Sequence, residues 1–92
     1  MDLNQPVKPN PEVVCTEVGG KEAVLLHLDT KKYYSLNQTG LRIWQMLSKG
    51  QTPAEVIGQI ETEFDVTPEK ARESVINLMN ELSSEKLIQT GI

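Results

Sequence analysis

His27 and Cys15 are the only histidine and the only cysteine in this chain, so it has little to offer nucleophilic or transition-metal chemistry. A zinc site or a catalytic dyad needs several such groups converging on one point. One of each provides neither, and Cys15 reads as a small, partly buried strand residue. The 13 carboxylates fall mainly on predicted helix surfaces and turns. None has the apolar setting that raises a carboxyl pKa for acid catalysis. No glycine-rich phosphate loop is present. The residues therefore point to a domain that binds something, holds no cofactor or metal, and is not an enzyme.

The binding chemistry that remains is that of backbone and surface. It centres on Tyr33-Tyr34-Ser35-Leu36-Asn37-Gln38-Thr39-Gly40-Leu41-Arg42-Ile43-Trp44. Tyr33 to Leu36 are strand formers. Asn37 is a helix N-cap, because its side-chain oxygen can accept a free N–H of the first turn. Gly40 permits a close backbone approach, and Ile43, Trp44 and Leu47 give the helix an apolar face.

A chain of 92 residues builds one small domain with one modest core. No apolar run is long enough to span a membrane. The N-terminus lacks the basic and apolar regions of a signal peptide. With a lone cysteine, this gives an expected cytoplasmic location. The net charge of -4 argues against a general nucleic-acid binder. Between Asp29 and Glu55 there is no acid, but there are Lys31, Lys32, Arg42 and Lys49. This is either a local accident on a solvated face or a cationic patch beside the aromatic strand.

Pro6, Pro9 and Pro11 mark residues 1–11 as a flexible arm. It could lie along the domain, swap onto a partner, or do nothing. The domain proper is expected over 12–92. Val13 to Val18 is the first predicted strand, and Gly19-Gly20 is a hairpin signal. Ala23 to Leu28 is the second strand, with Val24, Leu26 and Leu28 on the core face and His27 opposite. Lys32 to Leu36 is the third strand. If Tyr34 and Leu36 point inward, Tyr33 and Ser35 point outward.

A helix over Gln38 to Ser48 ends at Gly50. Thr52-Pro53-Ala54-Glu55 is a capping box that opens a second helix. Gly58 in that helix suggests close packing, since glycine costs about 1 kcal/mol against alanine there. Thr67-Pro68-Glu69 opens a third helix, whose core stripe is Ala71, Val75, Leu78 and Leu82. Leu87 and Ile88 are expected to fold back onto the body. Three antiparallel strands followed by three helices make an α+β fold. A helical pair closed by a small sheet is winged helix-turn-helix-like.

Such a fold suggests a DNA-binding regulator as one reading. The predicted helices oppose it: Glu69, Glu73, Glu81 and Glu85 outnumber Lys70, Arg72 and Lys86 on the third, and the second has acids but no base. Binding driven by counterion release needs the reverse sign. The other reading is peptide binding by strand addition to an exposed sheet edge. The predicted third strand is the candidate edge, unless it is central or covered by the arm.

The chain resembles the PqqD-like proteins, the peptide-recognition domains of ribosomally made, modified natural products. The matching residues are Leu25-Leu26, Tyr33-Tyr34-Ser35-Leu36-Asn37, Thr39-Gly40, Ile43-Trp44, Thr52 with Glu55-Val56-Ile57, Phe64-Asp65-Val66, and Val75 through Leu82 before Leu87-Ile88. The resemblance spans roughly residues 12–90. One departure is Glu85-Lys86-Leu87-Ile88, where many members have a glycine before the leucine. The resemblance implies a non-catalytic subunit that binds the leader region of a precursor peptide and delivers it to a modifying enzyme. In the family that enzyme is a radical-SAM enzyme, as in pyrroloquinoline quinone biosynthesis, or a leader peptidase, as in lasso-peptide biosynthesis. The leader adds to the third strand and lies between that strand and the third helix.

The peptide-binding residues expected on this basis are Lys32, Tyr33, Tyr34, Ser35, Leu36, Arg42, Arg72, Ile76 and Met79. Lys32, Arg42 and Arg72 would meet an acidic residue of the leader. Ile76 and Met79, on a stripe beside the core stripe of the third helix, would hold its apolar anchors; otherwise Ile76 is a scattered surface residue. The chain is expected to be a monomer, or a dimer swapped through its arm or a strand.

Overall fold

The computed structural model describes residues 6–90. Five strands and three helices follow in the order β1 (Val7–Pro9), β2 (Val13–Val18), β3 (Glu22–His27), β4 (Tyr33–Leu36), α1 (Gln38–Ser48), α2 (Pro53–Glu63), α3 (Pro68–Ser84) and β5 (Ile88–Thr90). The fold is α+β and winged-helix-like. The strands form two sheets: an antiparallel trio ordered β2-β3-β4, and a separate pair β1-β5.

Residues 7–9 of the expected arm form this pair and lie along the domain, one of the three fates open to the arm. Val7 pairs with Thr90, Lys8 with Gln89 and Pro9 with Ile88. Val7 is buried in the core beside Ile88 and Leu87. Asn10 anchors the junction, its backbone N–H donating to the Leu87 carbonyl and its side-chain amide to the Lys86 carbonyl at 2.8 Å. Three prolines suppressed the strand signal, but one strand residue with an apolar partner suffices to pin so short a segment. The first five residues of the expected arm lie outside the described residues.

The helix starts follow from local chemistry. The Gly40 N–H donates to Asn37 Oδ1 at 2.8 Å. Thr52 and Glu55 bond reciprocally, with Thr52 N–H to Glu55 Oε1 at 2.9 Å and Glu55 N–H to Thr52 Oγ1 at 3.2 Å. Thr67 Oγ1 accepts from the Lys70 N–H. Each bond satisfies a donor that has no partner within the helix. Lys86 has φ 59°, the left-handed region that favours glycine.

The core-facing side of β3 differs from expectation. Ala23, Leu25 and His27 are buried, while Val24 and Leu26 are half-buried and Leu28 lies beyond the strand, exposed. A shift of one residue exchanges the two faces of a strand. Ala23-Val24-Leu25-Leu26 is apolar on both faces, so alternation cannot choose between them; the neighbours do. Leu25 pairs with Cys15 on one side and Tyr34 on the other, and Ala23 pairs with Leu36. His27 fits the inner face because Nδ1 accepts from the Asp29 and Thr30 N–H groups at 3.2 and 3.4 Å. The outer face carries the cross-strand row Val14–Leu26–Tyr33. Val14, Val18, Leu28 and Tyr33 are the exposed large apolar residues.

Gly58 is likewise unlike its expectation. A Cβ placed there meets nothing within 4 Å, so no close packing accounts for the glycine.

Candidate functional site

Among the described residues β4 pairs with β3 alone, and its other edge is open. The ladder determines which groups point outward. The His27 N–H donates to the Lys32 carbonyl. Bonded pairs alternate in an antiparallel ladder, so Tyr34 with Leu25 and Leu36 with Ala23 are the next bonded pairs. The N–H and C=O groups of Tyr33 and Ser35 therefore face away from the sheet.

Along this edge runs a groove of about 350 Å³, with α3 as its far wall. Tyr34, Ser35 and Leu36 supply the near wall. Asn37, Thr39, Gly40 and Ile43, at the start of α1, close one end. Ser74, Asn77, Leu78 and Glu81 face them from α3. The Tyr34 hydroxyl donates to Glu81 Oε2 and ties the walls together. Beyond Tyr34 the groove continues into a second hollow, lined by Asn80, Glu81, Ser84 and Glu85. Gly40 is needed where the strand turns into α1: a Cβ there would stand 3.3 Å from Asn37 Oδ1 and from Leu36 Cδ2.

Of the nine expected site residues, Tyr34, Ser35 and Leu36 line the groove. Tyr33 turns its ring to the outer sheet face, 72% exposed, and contributes only its edge backbone. Lys32 lies in the turn before β4, where its N–H donates to Thr30 Oγ1, and it does not line the groove. Arg42 is engaged elsewhere. Its Nε and Nη2 donate to Glu63 Oε1 and Oε2 at 2.7 and 2.9 Å, linking α1 to α2. That bidentate bond, with a second from Gln59, holds the Glu63 carboxyl at about 2 against an ordinary 4.5.

The α3 assignments are corrected by the position of its core stripe. At about 100° per residue, the buried residues Ala71, Val75, Met79 and Leu82 share one face. Met79 is 0% exposed and belongs to the core, not to the groove. Leu78 is half-buried at its edge and lines the groove instead. Ser74, Asn77, Leu78 and Glu81 form a stripe on one flank of the core. Arg72 and Ile76 fall on the other flank, outside the groove. The signal for this wall is a mainly polar stripe, Ser74, Asn77 and Glu81, at helical spacing, which hydrophobic periodicity does not register.

A further hollow of about 420 Å³ lies toward the opposite side, between Cys15 and Glu17 of β2 and Leu41, Trp44, Gln45, Ser48 and Lys49. Burial, and then the Glu17 charge, push the Cys15 thiol above its ordinary pKa. That is the wrong direction for a reactive thiol. Among the described residues no group of three or more His, Cys, Asp or Glu could hold a metal ion.

The family described as Coenzyme PQQ synthesis protein D (PqqD) matches residues 22–88, a stretch that includes β3, β4 and all three helices. The chain belongs to the PqqD family. Two solved structures share its fold closely. "TbiB1 in Complex with the TbiA(beta) Leader Peptide" is 29% identical, with a TM-score of 0.84 over 92% of this chain and 98% of that one. "Lasso peptide synthetase B1 complexed with the leader peptide" is 25% identical, with a TM-score of 0.81 over 90% of this chain and 96% of that one. No curated protein matches the chain. In this PqqD-family member the expected fold, with its sheet preceding three helices, is present; β1 and β5 are added to it.

Proposed function

We propose that this chain is a non-catalytic recognition subunit that binds the leader region of a ribosomally synthesised precursor peptide as an added strand on β4. It then presents the precursor to a modifying enzyme, either a radical-SAM enzyme or a leader peptidase. The observation that carries this reading is the open edge of β4 facing α3 across the groove. An extended peptide laid there can bond the outward N–H and C=O groups of Tyr33 and Ser35 while its side chains enter the groove. The leader-peptide complexes of the two structural relatives support the same occupant. We place this work in the cytoplasm, where a ribosomal precursor is made. No described helix is long and apolar enough to cross a membrane.

The DNA reading gains nothing. α2, α3 and the α3 C-cap expose Glu55, Glu63, Glu69, Glu73, Glu81 and Glu85, and Arg42 is already paired. The described part of the arm pairs with β5 of its own chain, which favours a monomer over an arm-swapped dimer.

Amide NMR during titration with candidate leader peptides tests the proposal. Shifts should concentrate on Tyr33, Ser35, Ser74, Asn77, Leu78 and Glu81. Ser35→Pro removes one outward donor and should weaken binding while circular dichroism reports an intact fold. Shifts confined to α2, with β4 silent, would reject strand addition.

A further inference from the structure

The charge of the groove is opposite to that suggested by the sequence. None of the nine lysines and arginines lines either stretch of it, whereas Glu81 and Glu85 both do. The cations expected there are placed elsewhere: Lys32 in the preceding turn, Arg42 on Glu63, Arg72 on the far flank of α3. Lys86 follows Glu85, but the chain there turns away toward Asn10, which holds the Lys86 carbonyl.

The backbone adds to the same sign. Glu81 and Glu85 sit at the C-terminal end of α3, whose last turn carries no base. A helix C-terminus bears the negative end of the macrodipole and favours cations. The Tyr34 hydroxyl occupies only part of the Glu81 carboxylate, since a carboxylate has about four acceptor sites. The first stretch of the groove also holds the apolar side chains of Leu36, Ile43 and Leu78, set among Asn37, Thr39, Ser74 and Asn77.

We propose that the leader segment bound here carries a lysine or arginine that meets Glu81 and Glu85, on the same peptide face as an apolar residue that meets Leu36, Ile43 and Leu78. This rests on the strand-addition reading and specifies its ligand. Side chains on one face of a strand recur every second residue, about 6.6 Å apart. The basic residue therefore stands two or four positions from the apolar one. The carboxylates select among leaders and reject acidic ones, while the backbone ladder holds the chain.

The test uses a phage-displayed library of random linear dodecapeptides, selected on the full chain and, in parallel, on the Glu81→Gln/Glu85→Gln double variant. Both substitutions are at exposed positions, and thermal unfolding checks that the variant is folded. Peptides selected on the natural chain should carry Lys or Arg at the stated spacing from an apolar residue. Changing that Lys or Arg to Glu in a synthetic peptide should weaken binding roughly three- to tenfold in calorimetry, the scale of one or two screened pairs. The difference should shrink with added salt and vanish on the double variant. Selected peptides without this basic preference, or a Lys-to-Glu difference unchanged on the double variant, would overturn the inference while leaving strand addition intact. Peptides that bind Ser35→Pro as tightly as the natural chain, or no selected peptide at all, would overturn strand addition and this inference with it.

Discussion

The rotation of α3 can be tested with three substitutions at neighbouring positions: Ile76→Ala, Leu78→Ala and Met79→Ala. Met79 is completely buried, and truncating such a residue to alanine costs about 2–5 kcal/mol through lost burial and the cavity left behind. A domain of this length has about 5–14 kcal/mol in total. At roughly 4–8 °C per kcal/mol, Met79→Ala should lower Tm by about 8–40 °C. Where it remains folded, it should still bind a leader peptide. Leu78 is half-buried at the groove, so its truncation should cost about 1 kcal/mol of stability. Its larger effect should be on peptide affinity, about 1–2 kcal/mol if an anchor packs there, or a 5- to 30-fold rise in Kd. Ile76, on the far flank, should leave affinity unchanged. Urea unfolding and calorimetry on each variant separate the two readouts. A large affinity loss in Ile76→Ala, with Leu78→Ala binding normally, would refute the assignment of the groove to this flank.

Glu63→Gln breaks the Arg42 bond, whose side chains are 27% and 32% exposed, so solvent screening limits its worth to about 0.5–1 kcal/mol. The Glu63 carboxyl lies below its ordinary value in the folded chain, so its stabilisation is full above about pH 5 and is lost as pH falls toward 2. The gap in urea midpoint between natural chain and variant should therefore be present at pH 7 and close near pH 2; a gap that persists there would exclude the ion pair as its source. Gly58→Ala fills open space on an exposed helix position and should stabilise by about 0.5–1 kcal/mol, read as a Tm higher by a few degrees. A lower Tm would mean that the position is constrained by more than helix propensity.

The helices were legible because their boundaries are written in local chemistry. Asn37, Thr52-Pro53 and Thr67-Pro68 each state a start, and a capping bond depends on residues three positions apart. The α1 bounds expected from sequence, Gln38 to Ser48, are those observed. Sheet faces are a different matter. In β3 four consecutive apolar residues satisfy either face, and the choice rests on Cys15 and Tyr34, which lie at a distance in sequence. The short β1 strand depends wholly on Ile88–Thr90 at the other end of the chain. No local pattern could announce it.

The groove combines both kinds of information. Tyr34, Ser35 and Leu36, which line its near wall, belong to one short strand that is apparent in the local sequence. The α3 wall depends on the rotation of a helix whose apolar residues fit two overlapping stripes, one through Leu78 and one through Met79. The core takes Met79, and that moves Leu78 to the edge. The two stripes share Ala71, Val75 and Leu82, so exchanging Leu78 for Met79 turns the core direction by only about 25°. The groove lies against the flank with Ser74, Asn77 and Glu81, and the flank with Arg72 and Ile76 is the opposite one. The groove flank carries Glu81 where the opposite flank carries Arg72. On an amphipathic helix the two flanks of one core stripe can differ in charge, so the charge of the groove wall is set by which flank meets the sheet edge, and that is decided by tertiary packing.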